Sequence, residues 1–433
     1  MNTDNKRSSI WRWIAGCLII LTCLCCVATT GAGAWLWKQY TAYPTDPVAL
    51  TQIVQKEVAQ MRGLEFKQPV TPKLLTPEQL REHIQKEFEQ ELPPEKLRGF
   101  ELTLTAFDLL EPGADLRQLY LDLLSEQVAG LYDPETKELY VVSNASSVSV
   151  VGRMTLAHEL THALQDQYYD LQKLGYGKQS EYDSEYMAGL QGLVEGDASL
   201  LQTQYMQKKF SPLDWLRLGL EYSQIDMTKY NQAPKFISAG LTFPYIQGSN
   251  FAKSLYTSGG WPAMNAAFAN PPQSTEQVLH PGRYRSGDKP RFVTLPPLTD
   301  TLGSGWRLVD QDIMGEFSIQ VHLEPRLKTI TSTLAAQGWG GDRYATFYND
   351  AGQATLLAWR TVWDNEAEAS EFVSDYDLYL ADVFGHEADS TQGNRACWQR
   401  SQDYRCMTWQ GSAVVVVRGP DTETVERVLG VLK

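Results

Sequence analysis

Apolar and polar positions change their spacing along the chain, and each change predicts a different kind of element. Trp13 to Trp37 carries no charge at all and is rich in Ile, Leu, Cys and Ala. A helix of that length rises about 37 Å, enough to cross a bilayer core of about 30 Å. Lys6, Arg7 and Arg12 precede it, so the expectation is an uncleaved single-pass anchor with residues 1–12 cytoplasmic and the rest extracytoplasmic at the cell membrane. Residues 38–50 read as a linker. From Thr51 to about Leu124 apolar residues recur every three or four positions, broken at Pro72, Pro77, Pro93 and Pro94, which predicts helices. Leu131–Glu138 reads as a turn between short strands, the second being Leu139–Ser143. Helices are expected at about Gly152–Tyr168 and Ser184–Lys208, separated by the polar stretch Gly175–Asp183. Residues 212–300 mix helix with Pro/Gly-rich loops.

Beyond Leu302 the pattern turns to alternation. Tyr344–Tyr348, Gln353–Trp363, Ala396–Trp398, Cys406–Gln410 and Ala413–Val417 read as strands, with helices at Asn365–Phe384 and Thr422–Leu432. Gly338–Arg343 (GWGGDR) lacks the ending of a phosphate loop and reads as a turn. The fold class expected is α+β: an N-terminal transmembrane helix, a mainly helical domain with a small sheet over 51–300, and an antiparallel α+β domain over 301–433.

Composition narrows the function. With 43% hydrophobic and 21% charged residues the chain is an ordinary globular protein. Its formal net charge of −14 argues against nucleic acid or an anionic lipid surface as the main partner. Four of the six cysteines lie within 13–37; Cys397 and Cys406 flank a polar turn and suit a disulfide across a hairpin. His322 and His386 are isolated and read as structural or exposed.

The chemistry concentrates in Thr155–Leu164, where His158, Glu159 and His162 stand in the HExxH pattern. Two histidines four apart on a helix face one side and can share one tetrahedral zinc ion per chain. Glu159, between them, is placed to deprotonate a metal-held water without being a ligand. A third ligand is needed. Glu195, among small and apolar residues in Gly192–Ala198, is the first candidate, because a carboxylate buried there needs a cation. Asp183 and Glu185 are the alternatives. Asp166 and Asp197 are candidates for orienting the imidazoles from behind.

HELTH followed by VEGDA resembles the gluzincin metallopeptidases, in which two helices supply HExxH and a glutamate. VEGDA is similar to the NEGFA segment of the aminopeptidase N family, and Tyr245-Ile246-Gln247-Gly248 resembles that family's YxxG segment. AHELTHALQDQ, LVEGDA and STEQVLHP together resemble uncharacterised bacterial membrane-anchored HExxH proteins over roughly residues 50–290. The resemblance implies a zincin-like catalytic domain, zinc on His158, His162 and Glu195, Glu159 as general base, and Tyr245 as the oxyanion donor. His280, in Gln277–Pro281, is the second choice for that donor. One departure matters. Where the aminopeptidases carry GxMEN, whose glutamate grips a free amine, this chain has Ala129-Gly130-Leu131-Tyr132-Asp133. An endopeptidase is therefore expected, its peptide or protein substrate lying along Leu139–Ser143. The competing reading is an inactive membrane-anchored binding protein that keeps the fold.

Overall fold

Many helix starts are set by local chemistry. A computed structural model describes residues 43–44, 46–125, 130–142, 148–178 and 182–432. Helix α1 (Pro47–Arg62) begins behind Asp46, whose carboxylate accepts the Ala49 N–H at 2.8 Å, and ends where Gly63 adopts a left-handed φ of +72°. Strand β1 (Pro72–Leu75) and helices α2 (Pro77–Glu91), α3 (Pro94–Ala106) and α4 (Leu116–Ser125) follow. Pro77 and Pro94, which break the apolar periodicity, stand at the first helical position, where the missing N–H has no partner to lose.

Strands β2 (Gly130–Asp133) and β3 (Glu138–Val142) form an antiparallel hairpin, and β1 adds to β3 in parallel, in the order β1-β3-β2. Asp133 sets the turn by accepting the Glu135 N–H at 2.7 Å and the Thr136 hydroxyl at 2.6 Å. Behind this sheet lies α5 (Val150–Tyr169), N-capped by Ser149. It is followed by α6 (Leu171–Leu174), α7 (Ser184–Lys209), α8 (Pro212–Tyr222), α9 (Thr228–Gln232), α10 (Lys235–Ala269), α11 (Thr275–Leu279), α12 (Pro281–Ser286) and α13 (Thr299–Leu302). One cluster buries Val54, Val58, Leu139, Leu156, Leu160 and Leu201 between α1, β3, α5 and α7. A second joins α7 to α10 and α11 through Leu190, Leu193, Phe251 and Val278.

The crossing of α7 and α10 is set by glycine. A Cβ on Gly196 would stand 2.2 Å from the Gly248 carbonyl oxygen, and one on Gly248 would stand 2.4 Å from that of Gly192. Only hydrogen fits there, so the two backbones touch.

The C-terminal region contains β4 (Trp306–Asp312), α14 (Gly315–Leu323), α15 (Thr329–Ala336), β5 (Trp339–Asn349), β6 (Ala354–Trp363), α16 (Glu366–Phe384), β7 (Ser390–Thr391), β8 (Arg395–Arg400), β9 (Asp403–Gln410), β10 (Ala413–Gly419) and α17 (Thr422–Val431). Its seven strands run in the order β4-β5-β6-β10-β9-β8-β7, every neighbouring pair antiparallel. Strand alternation sorts the side chains. Leu357, Trp359, Val414 and Val416 face one layer with Phe372 and Tyr376 of α16, while Leu356, Ala358, Val415 and Val417 face Val425 and Val428 of α17. Cys397 and Cys406 oppose each other on β8 and β9 and are disulfide-bonded, as their spacing predicts.

Three expectations are corrected. Among the described residues no helix is long and apolar enough to cross a membrane. The longest, α10, carries Lys235 and Lys253 and breaks where Gly259 and Gly260 leave helical geometry. The described residues therefore do not support the fold class headed by a transmembrane helix, nor the cell-membrane placement with a cytoplasmic N-terminus; residues 13–37, which carried that expectation, lie outside them. The fold is instead mixed helix and sheet, with a large antiparallel sheet in the C-terminal region. Second, that sheet does not stand apart: Phe88, Leu97, Leu104, Phe107 and Leu116 of α2, α3 and the segments after them lie in one cluster with Trp339, Trp359, Trp363 and Trp398. Helical periodicity shows that a face is buried but not what covers it. Third, GWGGDR is not a turn beyond Gly338. Trp339 onward is β5, and its glycines admit a neighbouring segment, since a Cβ on Gly341 would meet the Arg291 carbonyl oxygen at 2.3 Å.

A charged clamp joins the α3–α4 connection to the sheet. Asp108 pairs with Arg405 and Arg418, and both arginines also pair with Asp403 at 2.8 and 3.0 Å. Burial alone would raise the Asp108 pKa, but hydrogen bonding and charge from Arg405, then Arg418, outweigh it and bring it down to about 2 from 3.8. A carboxylate with a depressed folded pKa stabilises the fold above its unfolded pKa and ceases to as it is protonated. The denaturation midpoint is therefore expected to fall between about pH 4 and pH 2, and Asp108→Asn is expected to flatten that part of the profile. An unchanged slope in the variant would remove Asp108 from the account.

Candidate metal centre

Helix α5 carries His158 and His162 on one side, and α7 lies across it with Glu195 facing them. His158 Nε2 stands 3.0 Å from Glu195 Oε2 and 3.0 Å from His162 Nε2; His162 Nε2 is 3.3 Å from the same Glu195 oxygen. One donor atom from each of the three lies within 4.8 Å of the other two, and all three side chains are buried. Burial raises the Glu195 pKa, yet the charges and hydrogen bonds of His162 and His158 carry it well below the carboxylate range. Burial likewise opposes charge on His162, but the Glu195 carboxylate prevails and pushes it up to about 9. Carboxylate and imidazole thus favour each other's charge in this buried setting. Two imidazole nitrogens and a carboxylate oxygen, converging and desolvated, fit a zinc ion with one position left open.

Glu159 points elsewhere. Its Oε2 accepts the Tyr132 N–H at 2.8 Å, so the carboxylate rests against β2 and is not among the converging donors. Burial raises its pKa, countered in part by the two imidazoles. The strand packs beside it: a Cβ on Gly130 would stand at an ordinary contact distance, 3.7 Å, from Glu159 Cγ. The expected substrate path along Leu139–Ser143 is corrected here. Strand β3 has β1 on one side and β2 on the other, so it presents no edge; among the described residues β1 and β2 are the edge strands, and Tyr132 of β2 meets Glu159.

The alternatives for the third ligand are occupied elsewhere. Asp183 caps α7 by accepting the Tyr186 N–H at 2.9 Å, and Glu185 accepts the Thr275 N–H at 2.8 Å. Asp166 accepts from the Tyr132 hydroxyl at 2.7 Å and from Lys137 at 2.8 Å, so it braces the hairpin rather than a histidine. Asp197 stands one step back, bonded to Arg62 and to Gln165 Nε2. The group that does meet a histidine is Gln165, whose Oε1 lies 2.9 Å from His162 Nδ1. It sits three residues after His162, a spacing that puts both on one helix face and was open to a reading of sequence alone.

Two tyrosines bracket the donors. The Tyr245 ring lies 6.1 Å from that of His158, and the Tyr176 ring 6.5 Å from that of His162. Tyr176 donates to Glu195 Oε1 at 2.5 Å, leaving Oε2 to the histidines. Its loop is shaped by Gly175 and Gly177, with φ of +94° and +77°. That Gly-Tyr-Gly run was the one sequence signal for Tyr176. Tyr245 is half exposed, and the negative charges of Glu195 and, after burial, Glu159 raise its pKa, so its hydroxyl keeps its proton. His280 is not part of the cluster: it pairs with Glu316 at 2.7 Å, where α12 meets α14. Donors of His83, Glu87 and Asp133 also converge, but more openly to solvent, and Asp133 is engaged in the β2–β3 turn.

Residues 306–429 match the model of a domain of unknown function (DUF8575), which begins at β4 and ends in α17. No protein of curated function matches the chain in sequence. Among solved structures, the chain is similar to a protein of Chloroflexus aurantiacus described as a "putative hydrolase with a novel fold", at 16% identity and a TM-score of 0.34, over 59% of this chain and 96% of that one.

Proposed function

We propose that this protein is a zinc-dependent peptidase that cleaves within polypeptide chains. The observation that carries the reading is the convergence of His158, His162 and Glu195 donors, with a Glu159 carboxylate that feels their charge yet is not one of them. A purely structural metal site has no use for that fourth group.

Zinc held there supplies Lewis acidity and a water acidified toward neutrality. The rest is done by this chain's residues. Glu159, with Oε2 fixed by the Tyr132 N–H, has its other oxygen to take the proton of the attacking water and pass it to the leaving nitrogen. Tyr245, protonated and with its ring 6.1 Å from that of His158, is the donor for the developing oxyanion. An extended substrate adds to the free edge of β2, which brings its backbone alongside Glu159. No glutamate on β2 awaits a free amine, which favours internal bonds over chain ends.

The test is made on the full chain. Purified protein is expected to hold about one zinc, to cleave an unfolded protein, to lose roughly 10²-fold or more of that rate on chelation, and to regain it with zinc. Protein that takes up no zinc, or that cleaves equally well after stripping, overturns the reading. Stoichiometric zinc with no cleavage of any unfolded protein would make it an inactive metal-binding protein instead.

A further inference from the structure

Resting on the zinc reading, we infer that Gln165 is the positioning residue for His162, and that the buried Arg62–Asp197 pair is what orients it. The side chains of Arg62, Asp197 and Gln165 are all essentially inaccessible, at 1%, 0% and 1% exposure. They form one chain of contacts from the end of α1 to the donors. Arg62 Nε lies 3.1 Å from Asp197 Oδ1, and its Nη2 donates to Oδ2 at 3.2 Å. The guanidinium itself is held by Asn265 Oδ1 at 2.7 Å and lies 4.5 Å over the Trp261 ring.

The orientation of the Gln165 amide follows by elimination. Its Nε2 has two neighbours, the Val194 carbonyl oxygen and Asp197 Oδ2, both at 3.0 Å, and both can only accept. The NH₂ end must face them, so Oε1 faces His162 Nδ1 at 2.9 Å. An acceptor there requires a proton on Nδ1. The lone pair of neutral His162 is then confined to Nε2, the nitrogen that points at His158 and Glu195. Were the amide free to turn, its NH₂ group would face Nδ1 and favour the opposite tautomer, with no donor pair aimed at the metal. Asp197 prevents that turn, and Arg62 holds Asp197 in place. A neutral amide, rather than a carboxylate, orients the ring without adding charge to the site.

Two measurements on the full chain test this. Zinc affinity is read by competition with a chromophoric chelator for the parent and for Gln165→Met, which keeps length and removes the acceptor. The variant is expected to bind zinc about 10–100-fold more weakly; at saturating zinc its KM should stay near the parent value while kcat falls. Separately, ¹⁵N NMR of the zinc-loaded parent, labelled in histidine, should show His162 protonated at Nδ1 and metallated at Nε2. Equal zinc affinity in Gln165→Met, or metallation at Nδ1, overturns the inference and leaves the zinc site standing. If Gln165→Met fails to fold, the tautomer measured in the parent decides alone. A parent that binds no zinc overturns both this inference and the reading it rests on.

Discussion

Glu159→Gln is expected to lower kcat for peptide cleavage by roughly 10²–10⁴-fold while leaving zinc content near one per chain. The substitution keeps the side-chain volume, and an amide oxygen can still accept the Tyr132 N–H that fixes Oε2 at 2.8 Å. It touches none of the converging donors, which belong to His158, His162 and Glu195. What it removes is the capacity to take a proton. Zinc analysis and a quenched fluorescent peptide, measured on the same preparation, separate the two effects. A variant with kcat within a few-fold of the parent would exclude Glu159 as the base. A variant that lost its zinc would assign Glu159 to holding the site rather than to proton transfer.

Gly196→Ala is expected to destabilise the fold by about 3 kcal/mol or more, because the added carbon would stand 2.2 Å from the Gly248 carbonyl oxygen, where no side chain can yield. The helices must separate, and α7 carries Glu195 with it, so zinc affinity should fall along with stability. Gly240→Ala is the matched control. It lies in the same α10 helix with nothing within 4 Å of an added Cβ, and there alanine's better helix propensity should leave stability unchanged or raise it by about 0.5–1 kcal/mol. Denaturant midpoints measured at saturating zinc compare the two. If Gly196→Ala costs no more than Gly240→Ala, the close crossing does not position Glu195.

Much of the local structure was readable in advance, for reasons that are themselves local. The spacing of His158 and His162 is one turn of helix, and α5 forms over Val150–Tyr169 around it. Glu195 follows the same logic, on an α7 that runs Ser184–Lys209 between an Asp183 cap and a basic last turn. Alternation picked out most strands of the C-terminal sheet, and Cys397 and Cys406 are joined as their flanking of a polar turn predicts. The rest depends on surroundings. Strand β4 carries no clear signal because it is half exposed, so its residues do not alternate cleanly between apolar and polar. Glycines 340 and 341 read as a turn, but they are small because the segment at Arg291 lies against them.

The amino-acid sequence by itself determined which side chains each helix presents together, because a 3.6-residue period and a two-residue period are properties of the backbone. It therefore set His158, Glu159, His162 and Gln165 on a single helix and sorted the two faces of the large sheet. Only the tertiary structure decided what stands opposite them. It made β2 rather than β3 an edge strand beside Glu159, brought Tyr176 to Glu195, left His280 with Glu316, and ran Arg62 and Asp197 behind Gln165. It also laid α2 and α3 on a sheet more than two hundred residues away in the chain. Those pairings depend on how whole surfaces fit, through contacts such as Gly196 on Gly248, and no repeat in the sequence encodes the partner of a buried face.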